Sequence, residues 1–398
     1  MTAKSDSTSA TASRSDGSPI ELWYSRCGAA TASAIAIRRH WLEAEFSGGG
    51  TVLRSLRDSE EQAIRDAHYH HEKTGLFREG GNIPPIWARA RGSDTAVVGI
   101  TWLDEFQGIL SRADGDIRAI GDLAGKRLAL PLHRNLIDFQ RGAALHGFVT
   151  ALGLAGAKVS DIRFVDVPVV RYEGGGAAGG ESAEVTALLD GRVDAIFLRF
   201  ARGVRTARDP RFHQIININE QPDPLTRVNN GTPRPITVDR RFLERHPDLV
   251  ARYLAVLLRT AAWAEQHPVE VLELLAADST GSEVQDVLAS HGPEVQRSFT
   301  PRLTETYITG LEAQKNFLRD FGFLAGDFDA RAWVVAEPLL EAQRLVRERP
   351  ELLELPVEAG ATRAQKRRDD GSKKSKTASK TDRLGETAVS RRRPAPLP

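Results

Sequence analysis

The 398-residue chain is 41% hydrophobic and 27% charged, and its 54 Lys and Arg against 53 Asp and Glu leave a formal net charge of +1. Such a balance describes a globular chain able to bury a substantial core, with two domains as the natural expectation. A single cysteine excludes an internal disulfide framework and a multi-cysteine zinc site, and no run approaches the roughly 18 apolar residues of a membrane span.

Residues 1–18 are rich in Ser, Thr and Ala and hold no apolar stretch that a secretory pathway could read, so a disordered N-terminus and a cytoplasmic location are expected. A short apolar run, Trp23-Tyr24-Ser25, ends at Arg26-Cys27-Gly28, where an alanine-rich helical pattern begins and continues to about Phe46. A thiol at such a junction lies near the partial positive charge of a helix N-terminus, which favours the thiolate. The plainer alternative is a small buried residue.

Gly48-Gly49-Gly50 ends that helix, and Thr51-Val52-Leu53 reads as a strand. A polar helix with His68-Tyr69-His70-His71-Glu72 follows; a metal cluster is not expected there, because only His68 and Glu72 share a helical face. Gly80-Gly81-Asn82-Ile83-Pro84-Pro85 is expected to be a non-helical loop. Ala96 to Ile100 is a candidate buried strand, and Asp122 to Leu130 turns into another that opens a second βαβ series.

In that series a helix is expected over 139–152, a strand over 162–167, a helix near 184–189 and a strand over 193–197, with largely parallel sheets. The glycine-rich Gly174 to Gly180 loop lacks the Gly-Lys-Ser/Thr or GxGxxG context of a phosphate cradle. From Arg234 the pattern changes to long helices. The order fits two α/β lobes, 19–112 plus 232–358 and 113–231, with the ligand in the cleft between them.

Tyr24-Ser25-Arg26-Cys27, His68, Arg78, Gly80-Gly81-Asn82-Ile83-Pro84-Pro85, Val98-Gly99-Ile100-Thr101 and Asp122-Leu123-Ala124-Gly125-Lys126-Arg127 together resemble the 2'-hydroxybiphenyl-2-sulfinate desulfinases of dibenzothiophene desulfurisation, over about residues 20 to 350. The resemblance implies an α/β, two-lobed type II periplasmic-binding-protein-like fold with C-terminal helices. It also implies a hydrolase acting on a carbon-sulfur bond, without metal or cofactor, and releasing sulfite. Its catalytic residues would be Cys27, His68 and Arg78, and substrate binding would fall to Ser25, Tyr69, Gly80 and Gly81, with the Gly81 amide on a sulfinate oxygen.

The residue chemistry agrees with that carry-over. A sulfinate is a compact anion that calls for a guanidinium fork and backbone N–H donors, which Arg78 and the Gly80-Gly81 turn supply from one loop. Cysteine serves either as nucleophile at sulfur or as proton donor to the ring carbon, and both roles stay open.

This chain also departs from the family: Gly28 replaces a proline after the cysteine, and Phe197-Leu198-Arg199-Phe200-Ala201-Arg202 replaces an aromatic-rich stretch. Two guanidinium groups there suit a more polar or doubly anionic ligand. The competing readings are a sulfonate, taurine or nitrate receptor, which needs Arg78 and Gly81 but not Cys27, and a same-fold enzyme acting on another small aromatic anion.

Residues 361–398 hold twelve Lys and Arg against four acids, a net of +8 that leaves −7 for the remainder. They are expected to be a disordered solubilising tail, with nonspecific nucleic-acid or anionic-surface contact as the alternative. A small aromatic anion is the expected partner, and a monomer the expected state.

Overall fold

The structure is a computed structural model that describes residues 18–25, 30–169, 181–278 and 283–349. The segment around Cys27, the Gly174 to Gly180 loop and the basic tail lie outside the described residues.

The chain opens with β1 (Ile20–Ser25), α1 (Ala32–Arg38), α2 (Trp41–Phe46), β2 (Thr51–Ser55), α3 (Gln62–His70), β3 (Leu76–Glu79), α4 (Ile83–Ala90) and β4 (Thr95–Thr101). It continues through β5 (Gln107–Arg112), β6 (Arg127–Leu132), α5 (Phe139–Leu154), β7 (Arg163–Pro168), α6 (Ala183–Leu189), β8 (Ala195–Arg199), α7 (Phe200–Arg208) and β9 (Phe212–Asn217). Then β10 (Arg234–Asp239) leads into α8 (Arg240–Arg245), α9 (Pro247–Gln266), α10 (Pro268–Asp278), α11 (Val284–His291), α12 (Glu305–Asp320) and α13 (Glu337–Glu348).

Two five-stranded sheets result, ordered β2-β1-β3-β10-β4 and β7-β6-β8-β5-β9. Both are mixed rather than largely parallel as the sequence pattern implied. β10 runs antiparallel to β3 and β4, and β5 antiparallel to β8 and β9. These are the strands by which the chain passes from one sheet to the other. Sheet membership changes between Thr101 and Gln107, ahead of the 112/113 boundary read from sequence, and the return lies between Asn217 and Arg234.

Three local expectations are corrected. The helical run to Phe46 is broken into α1 and α2, because His40 adopts a left-handed φ of 59° that no helix can continue through. Ile83-Pro84-Pro85 is the first turn of α4 rather than loop, since a proline at the start of a helix gives up only an N–H that has no intrahelical partner. Residues 234–239 form strand β10, between β3 and β4 in the first sheet, not the start of the helices; its Pro-Ile-Thr-Val core is short and lies just ahead of strongly helical segments.

An apolar cluster runs through both sheets, joining Ile86 and Ile100 to Leu128, Phe148 and Phe197 and to Trp333 near the C-terminal end of the described chain. The edge strand β4 is covered rather than exposed. Val97 N–H donates to Trp333 O at 2.9 Å, Val335 N–H donates to Val97 O at 2.9 Å, and Ile100 exchanges two hydrogen bonds with Arg302. This closes off the unpaired backbone groups that an edge otherwise offers to other chains. Trp333 is fully buried, and its Nε1 donates to Thr95 Oγ1 at 3.0 Å.

Candidate functional site

A cavity of about 350 Å³ lies between the ends of the two sheets. The first sheet contributes His68 from α3, Arg78 from β3 and Gly81 and Pro84 from the turn into α4. The second contributes Phe139 and Ala143 from α5 and the β8–α7 junction with Arg199, Phe200 and Arg202. Asn230, Gly231 and Arg234 close it on the return path.

Parallel pairing of β1 with β3 sets Ser25 opposite Arg78. Ser25 Oγ and His68 Nδ1 share a short hydrogen bond. Arg78, only 1% exposed, donates from Nε to the His68 carbonyl at 3.1 Å and from Nη1 to Gly81 O at 2.8 Å. The fork expected to grip a ligand with two parallel bonds is thus partly engaged with the protein itself, and it braces the end of α3 against the Gly80-Gly81 turn.

His68 is held neutral: desolvation in the cavity wall, then the charge of Arg78 and the proximity of His71, lower its pKa to about 3. His71 is buried at 2% exposure and is also lowered to about 3, with burial the leading cause and Arg78 the next. Its Nε2 lies 2.7 Å from Thr237 Oγ1, while the Thr237 hydroxyl donates to Arg78 O at 3.4 Å. That order makes His71 Nε2–H the donor, so Nδ1 carries no proton; it has no partner among the described residues.

The turn at Gly80-Gly81 is fastened to the Asn229-Asn230-Gly231-Thr232-Pro233 segment. Asn82, fully buried, donates from Nδ2 to Asn229 O at 2.7 Å and to Pro233 O at 2.9 Å, and its N–H donates to Asn230 O at 2.8 Å. Asn230 Oδ1 accepts from Ile83 N–H at 3.0 Å and so caps α4 from a distant part of the chain. Its Nδ2 has no acceptor among the described residues, although Asn230 is only 6% exposed and lines the cavity. The approach is close: a Cβ on Gly81 would stand 2.8 Å from the Asn230 amide. Among the described residues nothing accepts from the Gly81 N–H.

Behind the opposite wall, Glu105 is fully buried on the segment between the sheets. It accepts from Arg199 Nε at 2.7 Å and from Arg234 Nη2 at 3.1 Å, which joins β8 of one sheet to β10 of the other. Gly231 must be glycine for this arrangement, because a Cβ there would meet Glu105 Oε2 at 2.2 Å. Arg234 also donates to Gly231 O at 2.7 Å and to Ala30 O.

Of the residues singled out from sequence, His68, Arg78 and Gly81 meet in the cavity lining, and Ser25 stands one hydrogen bond behind His68. Tyr69 lies edge-on to His68 with ring centroids 5.0 Å apart and packs on the core cluster, while buried Gly80 adopts φ 157° just before the turn. Cys27 lies outside the described residues; helix α1 after it starts at Ala32, and Thr31 Oγ1 accepts from Ala34 N–H at 3.1 Å as its cap. His68 lines the cavity from the last turn of α3, its imidazole bonded to Ser25, while His71 Nε2 reaches Thr237 on β10.

Sequence reasoning missed Asn230, Gly231, Arg234 and Glu105. The Asn-Asn-Gly-Thr-Pro run signals a turn, but only the return of the chain shows that the turn faces Gly81. Among the described residues no three His, Cys, Asp or Glu side chains converge as metal ligands, and no helix is long and apolar enough to cross a membrane.

A family described as NMT1/THI5 like matches residues 84–271. The chain is 27% identical over 356 residues to the 2'-hydroxybiphenyl-2-sulfinate desulfinases of Rhodococcus erythropolis and Rhodococcus qingshengii, covering 79% of this chain and 92% of theirs. Among solved structures it is similar to a cysteine-to-serine mutant of the desulfurization enzyme DSZB in complex with biphenyl-2-sulfinic acid, with a TM-score of 0.64 at 22% identity over 82% of this chain and 99% of that one. It is also similar to the periplasmic aliphatic sulphonate binding protein SsuA from Escherichia coli, with a TM-score of 0.58 at 15% identity over 80% and 98% of the chains.

The fold is therefore α/β, two-lobed and periplasmic-binding-protein-like, with C-terminal helices. The chain is similar to the 2'-hydroxybiphenyl-2-sulfinate desulfinases, and its fold is one that a sulfonate-binding protein shares.

Proposed function

We propose that the chain is a cytoplasmic aryl sulfinate desulfinase working without metal or organic cofactor, with Cys27, His68 and Arg78 as catalytic residues and Ser25, Tyr69, Gly80 and Gly81 around the head group. The observation that carries this reading is the meeting of His68, Arg78 and the unengaged Gly81 amide in one cavity, in a homologue of named desulfinases. A buried guanidinium, a backbone N–H and the Asn230 amide form a donor set suited to a compact anion.

The reaction balances as protonation of the ipso carbon followed by carbon-sulfur cleavage. A ring π pair forms the new C–H bond, the carbon-sulfur bonding pair then returns to the ring and restores its π system as sulfur dioxide leaves, and water converts sulfur dioxide to sulfite while returning a proton. A neutral His68 favours Cys27 as thiol over a thiolate-imidazolium pair, which supports proton donation over attack at sulfur. The Ser25 hydrogen bond orients the imidazole. Arg78 offsets the sulfinate charge in a site where burial strengthens that attraction.

The similarity to SsuA favours a second reading, capture of a sulfonate without turnover. The experiment that separates them is sulfite release from 2'-hydroxybiphenyl-2-sulfinate by the purified chain and by Cys27→Ser. Release that depends on the thiol supports the desulfinase. Tight binding with no sulfite from either protein supports the receptor.

A further inference from the structure

We infer that the cavity takes an aromatic sulfinate bearing a second anionic group, held by Arg202 on the wall opposite Arg78. This inference rests on the reading of the cavity as a sulfinate site and extends it to the substrate class.

The charge of the lining carries the argument. Arg78, Arg199, Arg202 and Arg234 all line the cavity, and Glu184 is the one carboxylate among the described lining residues; Glu105 stands behind Gly231. Glu105 accepts from both Arg199 and Arg234, so a single negative charge is shared between two guanidinium groups. Arg202 is exposed and has neither an ion pair nor a hydrogen bond from its side chain among the described residues. A monoanionic ligand at Arg78 leaves the Arg202 guanidinium without an ion-pair partner among the described residues.

Position reinforces charge. Arg202 lies in the first turn of α7, where the helix dipole also favours negative charge. The Phe200 ring beside it lines the cavity with the Arg199 guanidinium 4.6 Å from its centroid. Phe139, Ala143, Ala144 and Phe197 also line the cavity and give it apolar surface fit for an aromatic body. The match is a rigid aromatic with an acidic group at either end.

The test compares unreactive sulfonates on the full-length protein by calorimetry: 2'-carboxybiphenyl-2-sulfonate against its neutral isostere, 2'-carbamoylbiphenyl-2-sulfonate. One charge-assisted hydrogen bond predicts that the carboxylate binds about tenfold more tightly at low salt. That ratio should fall to about one in Arg202→Gln and invert in Arg202→Glu, as like charges repel. A ratio of one in the wild type, a ratio unchanged in both variants, or no binding of either probe overturns the inference. Sulfite release from the matching sulfinates is scored separately. The expected ratios without any sulfite leave the second anion site standing and defeat the desulfinase reading, whereas sulfite release with a ratio of one defeats the site alone.

Discussion

Arg78 donates through Nε to the backbone carbonyl of His68 at 3.1 Å, so the residue that supplies positive charge to the cavity also fixes the end of the helix that carries the histidine. Its charge helps to keep that histidine neutral. In the proposed function, head-group recognition and imidazole protonation are thus coupled through one side chain.

Arg78→Lys keeps the charge but loses the planar donor set. Loss of the bonds to His68 O and Gly81 O should lower stability by about 3 to 6 kcal/mol, the scale for two hydrogen bonds from a charged group. Affinity for an aryl sulfonate should drop at least about tenfold as the Gly81 turn loosens. Urea denaturation and calorimetry check the two effects, and wild-type values in both would remove Arg78 from the site.

Cys27→Ser is expected to abolish sulfite release while changing stability by no more than about 1 to 2 kcal/mol, the range for a near-isosteric exchange. The pair of measurements is turnover and thermal unfolding. An active serine variant would show that the thiol takes no part in the chemistry.

Glu105 is fully buried between Arg199 and Arg234. Glu105→Gln leaves two guanidinium groups without their counter-ion, and breaking a buried pair in this way costs about 3 to 5 kcal/mol. Glu105→Gln with Arg199→Met should recover part of that loss, because one of the unpaired charges is removed. Equal stability of the single variant and the wild type would show that the bridge does not hold the two sheets together.

Stability should fall on acidification below about pH 6.5. His68 and His71 have folded pKa values of about 3 and His146 of about 4, each below the unfolded value, so the unfolded state binds more protons in this window. Each histidine contributes a slope of about 1.4 kcal/mol per pH unit between its folded and unfolded pKa. The stabilisation is complete above the unfolded value and is lost as pH falls toward the folded one. Glu79 acts in the opposite sense, since burial raises its pKa and protonation relieves that penalty. Removing one charged form with His71→Asn should flatten the pH dependence of the urea midpoint between pH 6.5 and 4; an unchanged slope would mean that His71 is protonated in the folded protein.

Local pattern was enough for the elements whose period is strong. The apolar run of β4, the largely apolar α5 and the long α9 are legible because each buries many side chains within one uninterrupted stretch. Cys27, His68, Arg78 and Gly81 were singled out through the resemblance to the desulfinases, with which the chemistry of those residue types agrees. What β5 and β10 do was not, since nothing within a six-residue strand states which sheet it joins or in which direction.

The same limit applies to the cavity. The amino-acid sequence determines that a guanidinium stands beside two adjacent glycines, because Arg78, Gly80 and Gly81 lie within four residues of one another. Tertiary structure alone decided that Arg78 would be braced on His68, that Asn230 would cap α4 from more than a hundred residues away, and that Glu105 would meet Arg199 and Arg234. Those contacts join segments distant in the chain, and their energies depend on burial, which exists only once both sheets have folded and the chain has returned between them.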